Sequence, residues 1–217
     1  MKVALIGATG FVGTAILNEL IARDHEVIAI ARHPEKISGK SPLIHPLAAN
    51  VLDAQQVADA VKGSDAVISA YNPGWTSPRI GEEIAEGFAA IQAGVKQSGV
   101  KRYIVIGGGG SLEIQPGLQL VDTPQFPAEY KVAASAVRDY LNVIKKEKDL
   151  DWTFFSPAIF MSHETSGVRR GHYRTGLDNP VFDEKGQSIL SVEDLALVIV
   201  DELENPKHLK KRFTAAY

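Results

Sequence analysis

The chain has 217 residues, 45% of them hydrophobic and 23% charged, which is enough to bury the core of one α/β domain. Its formal net charge of -3 excludes a global field that would attract nucleic acid, and no apolar run is long enough to cross a membrane. Cysteine is absent, which excludes disulfides and thiolate catalysis and leads us to expect a cytoplasmic protein.

Short apolar runs alternate with helical patterns along the whole chain. The predicted strands are Val3–Ile6, Val27–Ile30, Leu43–Leu47, Ala66–Ser69, Tyr103–Ile106 and Trp152–Phe155. The predicted helices are Phe11–Arg23, Ala54–Val61, Ile80–Ser98, Ala128–Lys148 and one that begins at Ser191. Because the strand candidates are apolar throughout, both faces of the sheet should be covered. The sequence therefore predicts one doubly wound α/β domain over residues 1–217, with a mostly parallel sheet.

The first predicted strand runs directly into a glycine loop and a helix. Gly7 lets the chain turn, Gly10 lets the backbone approach a phosphate, and Gly13 lets the helix pack closely on the strand. A dinucleotide pyrophosphate would then lie against the helix N-terminus, as in Rossmann-like folds. The predicted cofactor contacts in this loop are Gly7, Thr9, Gly10, Phe11, Val12 and Gly13.

The end of the second strand indicates which dinucleotide is bound. An NAD site normally places Asp or Glu there for the ribose 2′-hydroxyl, whereas this chain has Arg32. A guanidinium can bind a 2′-phosphate bidentately, so we expect NADP(H) to be preferred while NAD(H) stays possible. The alternative is a solvent-exposed arginine that opens the next loop. After the third strand, Asn50 and Val51 are predicted to lie near the adenine.

Loops after the fourth and fifth strands supply further candidates for the cofactor site. Ala70 and Asn72 follow the fourth strand, although Asn72-Pro73-Gly74 equally fits an ordinary turn. Ser111 is the candidate catalytic residue, with a hydroxyl that faces the nicotinamide or substrate or else caps the next turn. Glycines at the end of the fifth strand would let the backbone pass close to the nicotinamide: Gly107, Gly108 and Gly109.

The stretch 158–187 is irregular and rich in Gly, Arg, Asp and Thr. It follows the sixth strand, where ligands of this fold bind, so we predict that it covers a substrate; the alternative is a surface loop without a role. Arg170 and Arg174 within it are predicted to bind an acidic acceptor such as FMN, or else to be solvated. The six histidines lack metal-ligand spacing, so we expect no metal site.

Several segments together resemble one known family. They are GATGFVG at 7–13, VIGGGGSL at 105–112, DWTFFSP at 151–157, and the tail segments 170–174, 191–194, 201–206 and 212–217. They are similar to the atypical short-chain dehydrogenase/reductases, in the NmrA-like NAD(P)-binding group of NADH-flavin reductases, and more distantly to biliverdin reductase B. The resemblance implies a Rossmann fold, a nicotinamide dinucleotide, and a flavin or similar small acceptor that is a substrate rather than tightly bound.

The same resemblance bears on the site and on assembly. The serine that biliverdin reductase B carries after its fifth strand corresponds to Ser111, whereas its histidine after the sixth-strand proline is replaced here by Ala158. Related proteins often pair through the helices that correspond to 80–98 and 128–148. A homodimer and a monomer are both compatible with the sequence.

The helix after the fifth strand lacks a proton relay. Alcohol-oxidising members of the superfamily carry Tyr-x-x-x-Lys, in which the ammonium one turn away lowers the phenol pKa. Here Tyr130 is followed four residues later by Ala134, and Lys131 projects about 100° around the helix. We therefore expect Tyr130 to contact substrate or to pack, rather than to relay a proton.

Three functions remain open. Hydride transfer to a flavin fits the missing relay, because the isoalloxazine ring spreads the charge and takes its proton from water. A non-catalytic redox sensor of the NmrA type would use every cofactor residue in the same way. A nucleotide-sugar epimerase or dehydratase is disfavoured by the missing relay and by the modest chain length.

Overall fold

The computed structural model describes residues 1–217, with ten strands and five helices. The strands are β1 (Lys2–Ile6), β2 (Glu26–Ala31), β3 (Ile44–Ala48), β4 (Ala66–Ser69), β5 (Arg102–Ile106), β6 (Glu113–Gln115), β7 (Leu118–Gln119), β8 (Asp151–Ser156), β9 (Arg174–Gly176) and β10 (Lys211–Ala216). Eight strands form one sheet in the order β3-β2-β1-β4-β5-β8-β10-β9, and β6 pairs with β7 in a separate hairpin. Only β9, at the edge, is antiparallel within the large sheet.

Helices cover both faces of this sheet. They are α1 (Phe11–Ala22), α2 (Ala54–Val61), α3 (Ile80–Ser98), α4 (Ala128–Ile144) and α5 (Val192–Glu204). Side chains of α1 and α5 share one buried cluster with the sheet, and those of α2, α3 and α4 share the other. The predicted doubly wound, mostly parallel α/β fold is therefore confirmed. None of the five helices combines the length and apolar character that a membrane crossing requires.

Most predicted element boundaries are confirmed, since local signals fix them. Gly99 ends α3 with a φ of 84°, which glycine adopts without strain. The Asp53 carboxylate caps α2, and the Ser191 hydroxyl caps α5 by accepting from the Asp194 amide at 3.1 Å. By contrast, α4 ends at Ile144 rather than Lys148, because the amides of Lys146 and Glu147 donate three residues back and tighten the chain into a turn.

The last parallel strand, β10, was not predicted as a strand. Its sequence KRFTAA contains one large apolar residue, Phe213, and therefore lacks the continuous apolar run of the other central strands. Arg212 is nevertheless buried within it, and its guanidinium binds the Asp178 carboxylate at 2.6 Å. A buried charge that is paired in this way cannot be distinguished from a surface charge in the sequence alone.

The order of strands creates a crevice at the carboxyl ends of β1 and β4. From β1 the sheet grows towards β2 and β3 in one direction and towards β4 and β5 in the other. The helix that follows β1 and the helix that follows β4 consequently lie on opposite faces of the sheet. Ligands of open α/β sheets bind at such a switch point.

The segment 158–187 contains only a short 3-10 helix, His163–Thr165, and β9, so most of it is irregular as predicted. The His163 ring lies 3.9 Å from the Phe11 ring at the start of α1. Farther along, the amides of Arg170 and Gly171 donate to the Asp194 carboxylate at 2.8 and 2.9 Å. This single buried carboxylate therefore ties the segment to α5.

Replacing Asp194 by Asn should lower the free energy of unfolding by about 2–3 kcal/mol at pH 7, because an amide cannot accept all these hydrogen bonds. Burial raises the pKa of Asp194, but hydrogen bonds from Tyr217 and from two backbone amides outweigh burial and leave it lowered. A lowered pKa stabilises the fold above the unfolded value of about 3.9, and this contribution is lost as the pH falls through the folded-state pKa.

Urea unfolding of wild type and Asp194→Asn at pH 7 and near pH 3 measures this effect. The difference in the free energy of unfolding between wild type and Asp194→Asn should be smaller at the lower pH. Asp59→Asn, which changes an exposed carboxylate on α2, should stay within about 0.5 kcal/mol of wild type at both. A difference for Asp194→Asn that is equal at both pH values would show that its charge contributes nothing.

Candidate functional site

Two glycines of the first loop are required by packing within the protein. Gly7 has a φ of 81°, and a Cβ there would lie 2.6 Å from the carbonyl oxygen of Ala70 in the loop after β4. A Cβ on Gly13 would lie 2.0 Å from the Gly7 carbonyl oxygen. Both distances are shorter than any real contact, so no other residue fits at either position. The loop after β1 is thereby pressed against both α1 and the loop after β4.

Packing within the protein does not explain why position 10 is a glycine. Its φ of -79° and ψ of 169° suit any residue, and a Cβ would meet nothing closer than the Gly7 carbonyl oxygen at 3.4 Å. It is exposed, as is Thr9 beside it. No side chain caps α1 at Gly10, and no acidic residue lies in the first turn, so the amides at Phe11, Val12 and Gly13 are available to an anion. These features fit the pyrophosphate of a dinucleotide.

Arg32 lies exposed beyond the end of β2, at the side of the crevice where an adenosine ribose would sit. Its guanidinium donates one hydrogen bond, to the carbonyl oxygen of Pro73 in the loop after β4, at 3.2 Å. The nearest acidic residue along the chain, Glu35, pairs with His33 instead. The end of β2 therefore offers a cation and no carboxylate towards the ribose.

The loop after β3 presents an amide. The Asn50 side-chain oxygen accepts from the Leu52 amide at 3.2 Å, which leaves the exposed NH₂ group available. Val51 is 8% exposed and forms the apolar floor beside it. Asp53 is committed to capping α2, because its carboxylate accepts from the amides of Gln55 and Gln56, and the Gln56 hydrogen bond also lowers its pKa. Asn50 and Val51 thus lie together in the loop after β3, and their contact with adenine stays a prediction.

The loop after β4 is held firmly. The Ala70 amide donates to the Ile6 carbonyl at 2.9 Å, and the Asn72 side chain accepts from the Gly74 amide at 2.8 Å. Tyr71 points inward and donates to the Glu83 carbonyl at 2.9 Å. Burial raises the pKa of Tyr71 to about 12, so its phenol stays protonated. Ala70 and Asn72 consequently stand on a fixed backbone beside the glycine loop.

Two of the three predicted cofactor glycines after β5 are required by packing within the protein. A Cβ on Gly107 would lie 2.1 Å from the Phe154 ring, and one on Gly109 would lie 2.9 Å from the Pro157 carbonyl oxygen. Only Gly108 has room, because a Cβ there would lie 3.4 Å from the Val137 side chain. Of these three predicted cofactor residues, Gly108 is therefore the one whose lack of a side chain the protein interior does not explain.

Ser111 does not reach the surface, contrary to the expectation of a hydroxyl that faces nicotinamide or substrate. It is 1% exposed, and its hydroxyl donates to the Gly108 carbonyl at 2.8 Å and lies 2.9 Å from the Ser156 hydroxyl. Its own carbonyl accepts from Arg212 at 2.9 Å. Ser111 thus positions the glycine segment, and the capping alternative describes it better than catalysis.

The start of α4 carries Tyr130, Lys131 and Ala134, the residues that bear on a proton relay. Ala134 packs against the glycine segment, with its Cβ 3.2 Å from where a Cβ on Gly110 would lie, so the position of the relay lysine is filled. Lys131 instead lines the groove between α3 and α4. Tyr130 is 48% exposed and forms an edge-to-face pair with Trp75, at 5.5 Å between ring centroids.

Trp75 is an exposed aromatic residue beside Tyr130 that the sequence interpretation did not consider. It is 65% exposed in the loop between β4 and α3, whereas most large apolar side chains of this chain are buried. The signal was present, since an aromatic residue directly after the turn Asn72-Pro73-Gly74 lies at the ligand-binding edge of the sheet. Its pairing with Tyr130 depends on tertiary structure and could not be found from local pattern.

The arginine cluster of the segment 158–187 is largely committed to protein partners. Arg174 donates to the carbonyl oxygens of Phe182 and Tyr217, and Arg169 pairs with Glu19 on α1. The Arg170 guanidinium stacks 3.9 Å above the Tyr217 ring. These contacts place the cluster against α1, α5 and β10. The prediction that Arg174 binds substrate is weakened, because its guanidinium already holds two carbonyls, whereas Arg170 keeps its hydrogen-bond donors.

Comparison with known proteins agrees with this geometry. The family model described as NAD(P)H-binding matches residues 7–206. The Bacillus subtilis protein YwnB, whose function is uncharacterized, is 36% identical over 99% of this chain and 97% of its own. A Bacteroides thetaiotaomicron structure named as a candidate epimerase is 45% identical, with a TM-score of 0.92 over 100% of this chain and 96% of its own. A candidate NADH-flavin reductase of Streptococcus pneumoniae is 34% identical, with a TM-score of 0.85 over 100% and 99%.

The fold and the glycine cradle define an NAD(P)-binding Rossmann protein. More particularly, the chain belongs to the NAD(P)H-binding family, within the atypical short-chain dehydrogenase/reductase group of NmrA-like oxidoreductases. The nicotinamide cofactor predicted from the glycine loop is thereby confirmed as a class.

Replacing Gly10 by Ala tests the cradle. The variant should fold with nearly wild-type stability, because the added Cβ meets only one atom at 3.4 Å. Binding of the dinucleotide should weaken about tenfold or more, because the methyl group occupies the path of the phosphate. Calorimetric titration with NADP⁺ and thermal unfolding measure the two effects.

Gly13→Ala is the matched control, and it should instead cost about 3 kcal/mol of stability, since its Cβ overlaps the Gly7 carbonyl. Unchanged NADP⁺ affinity in Gly10→Ala would show that the pyrophosphate does not bind at this loop.

Proposed function

We propose that the protein is an NADPH-dependent reductase that delivers hydride to a flavin or a similar small conjugated acceptor. The observation that carries the proposal is the start of α4, where Ala134 fills the relay position and Lys131 faces away. Ser111 is buried as well, and the exposed phenol of Tyr130 has no lysine partner, so what the crevice offers is positioning. This combination suits an acceptor that needs no acid from the protein.

When bound, NADPH supplies a hydride, so that a flavin gains this hydride and one proton from water while NADP⁺ is released. The residues of this chain bind and orient the dinucleotide. The amides at the start of α1 hold the pyrophosphate, Arg32 holds the 2′-phosphate, and Asn50 meets the adenine. Gly108 leaves space for the nicotinamide beside β5. Catalysis on this account is proximity and orientation, which can contribute about 7–11 kcal/mol to lowering a barrier.

The missing relay also weighs against an epimerase, the activity named for the Bacteroides thetaiotaomicron structure. Epimerisation through a ketone intermediate must remove a hydroxyl proton and return it, which needs a general base within reach of the substrate. The structure offers Tyr130 without a lysine partner. A sensor that binds NADPH without turnover shares all the cofactor contacts, and only an assay of turnover separates it from a reductase.

Arg32→Ala tests the choice of cofactor. Removal of a charge-assisted, bidentate contact should weaken NADPH binding about tenfold to a hundredfold, while NADH binding stays nearly unchanged. Arg32→Lys should recover part of the affinity, because a lysine keeps the charge but loses the bidentate geometry. Dissociation constants for both cofactors decide the matter, and equal losses for NADPH and NADH would refute the assignment.

Tyr130→Phe and Gly108→Val together test the mechanism with riboflavin as acceptor. Tyr130→Phe should keep most of the turnover, since no phenol proton is required. Gly108→Val should lose about a hundredfold in kcat, because a branched side chain beside β5 displaces the nicotinamide by about 1 Å. Gly108 is a cleaner choice than Gly109, whose Cβ would strike the Pro157 carbonyl.

Steady-state rates of NADPH oxidation give the ranking. An inactive Tyr130→Phe beside an active Gly108→Val would mean a proton-relay enzyme that acts on a carbonyl or an alcohol. NADPH binding without turnover on any acceptor would favour the sensor.

A further inference from the structure

Trp75 and Tyr130 form an aromatic surface at the mouth of the crevice. We propose that this pair, here called the aromatic platform, selects the acceptor by stacking on its flat conjugated ring, and that the acceptor's charged tail contributes little. The inference rests on the proposed reductase function and adds to it the residues that recognise the acceptor.

The exposure of Trp75 calls for a functional explanation. It is 65% exposed, whereas the other tryptophan of the chain, Trp152, is 2% exposed and donates its indole N–H to the Glu147 carbonyl at 3.2 Å. Leaving an indole in water forgoes the stabilisation that its burial would give. Exposed aromatic residues at a ligand-binding edge mark contact surfaces for ligands.

The platform is also held in place rather than loosely attached. The loop before Trp75 is fixed by the Asn72–Gly74 hydrogen bond at 2.8 Å and by the Arg32 contact with the Pro73 carbonyl at 3.2 Å. Tyr130 is fixed by the first turn of α4. Recognition by stacking requires this preorganisation, since a mobile ring would lose entropy on binding.

The geometry of the pair leaves ring faces free. The two rings meet at 80° with centroids 5.5 Å apart, an edge-to-face arrangement that covers one of the four ring faces. With the two side chains 65% and 48% exposed, a flat ring can lie on an uncovered face. Aromatic faces stack on conjugated rings without needing a particular hydrogen-bond pattern.

Two of the three arginines that could bind a charged tail are committed to protein groups. Arg174 binds two backbone carbonyls and Arg169 pairs with Glu19, while the Arg170 guanidinium stacks over the Tyr217 ring. Lys131, next to Tyr130, lines the α3–α4 groove instead. Affinity should therefore follow the ring and be similar for lumiflavin, riboflavin and FMN.

The test is a titration of the NADP⁺-bound protein with oxidised riboflavin, followed by quenching of flavin fluorescence, which requires no turnover. Trp75→Ala should weaken riboflavin binding about tenfold, and Trp75→Phe, which keeps a ring, should recover most of that loss. Trp152→Phe, which removes the buried indole and leaves the platform intact, should bind as wild type does. Lumiflavin and FMN should give dissociation constants within about threefold of each other in wild type.

Wild-type riboflavin affinity in Trp75→Ala, or no riboflavin binding by the wild type, would overturn the platform. An FMN preference over lumiflavin of about tenfold or more would also overturn it, because the tail would then carry recognition. Failure of the reductase proposal is separate. Riboflavin bound through Trp75 without NADPH oxidation would support the platform and refute the reductase, whereas turnover with an unchanged KM in Trp75→Ala would do the reverse.

Discussion

The site depends on one backbone contact that tolerates no side chain. The Gly7 carbonyl lies where a Cβ on Gly13 would stand, and Gly7 itself presses on the Ala70 carbonyl of the neighbouring strand's loop. This contact sets α1 directly behind β1 with its first amides facing the crevice. It also fixes the loop after β4 at the same edge. Packing alone therefore places the glycine loop, the N-terminus of α1 with its helix dipole, and the loop after β4 side by side at one edge of the sheet.

The other residues around the crevice have one of two roles: some stabilise the loops of the protein, and others are available to bind ligands. Asp194 holds the segment 158–187, and Ser111 with Arg212 holds the glycine segment after β5. These groups are buried, and they hydrogen-bond to protein partners. Gly10, Arg32, Asn50 and Trp75 are exposed at the crevice, and the single hydrogen bonds of Arg32 and Asn50 leave them further donors. A dinucleotide and a flat acceptor can bind to this exposed surface and to these hydrogen-bond donors.

The sequence predicted the central fold because its signals are local. Continuous apolar runs marked β1, β2, β4, β5 and β8, and capping residues marked most helix ends. It missed β10, whose buried arginine is paired with a carboxylate far along the chain. It predicted ligand contacts for Gly107 and Gly109 and either a ligand contact or a cap for Ser111, and neighbouring side chains and carbonyls also account for these residues. Such residues look alike in sequence whether their partner is a cofactor or the protein itself. Trp75 was missed for the opposite reason, since only its exposure in the folded protein distinguishes it from a core residue.

Anaerobic mixing of the protein with NADPH and excess riboflavin tests the central claim most directly, with nicotinamide and flavin absorbance followed together. The account predicts that each NADPH consumed yields one reduced flavin, at a rate that rises with protein concentration far above the protein-free reaction. Tight NADPH binding with flavin reduction no faster than in the absence of protein would contradict it.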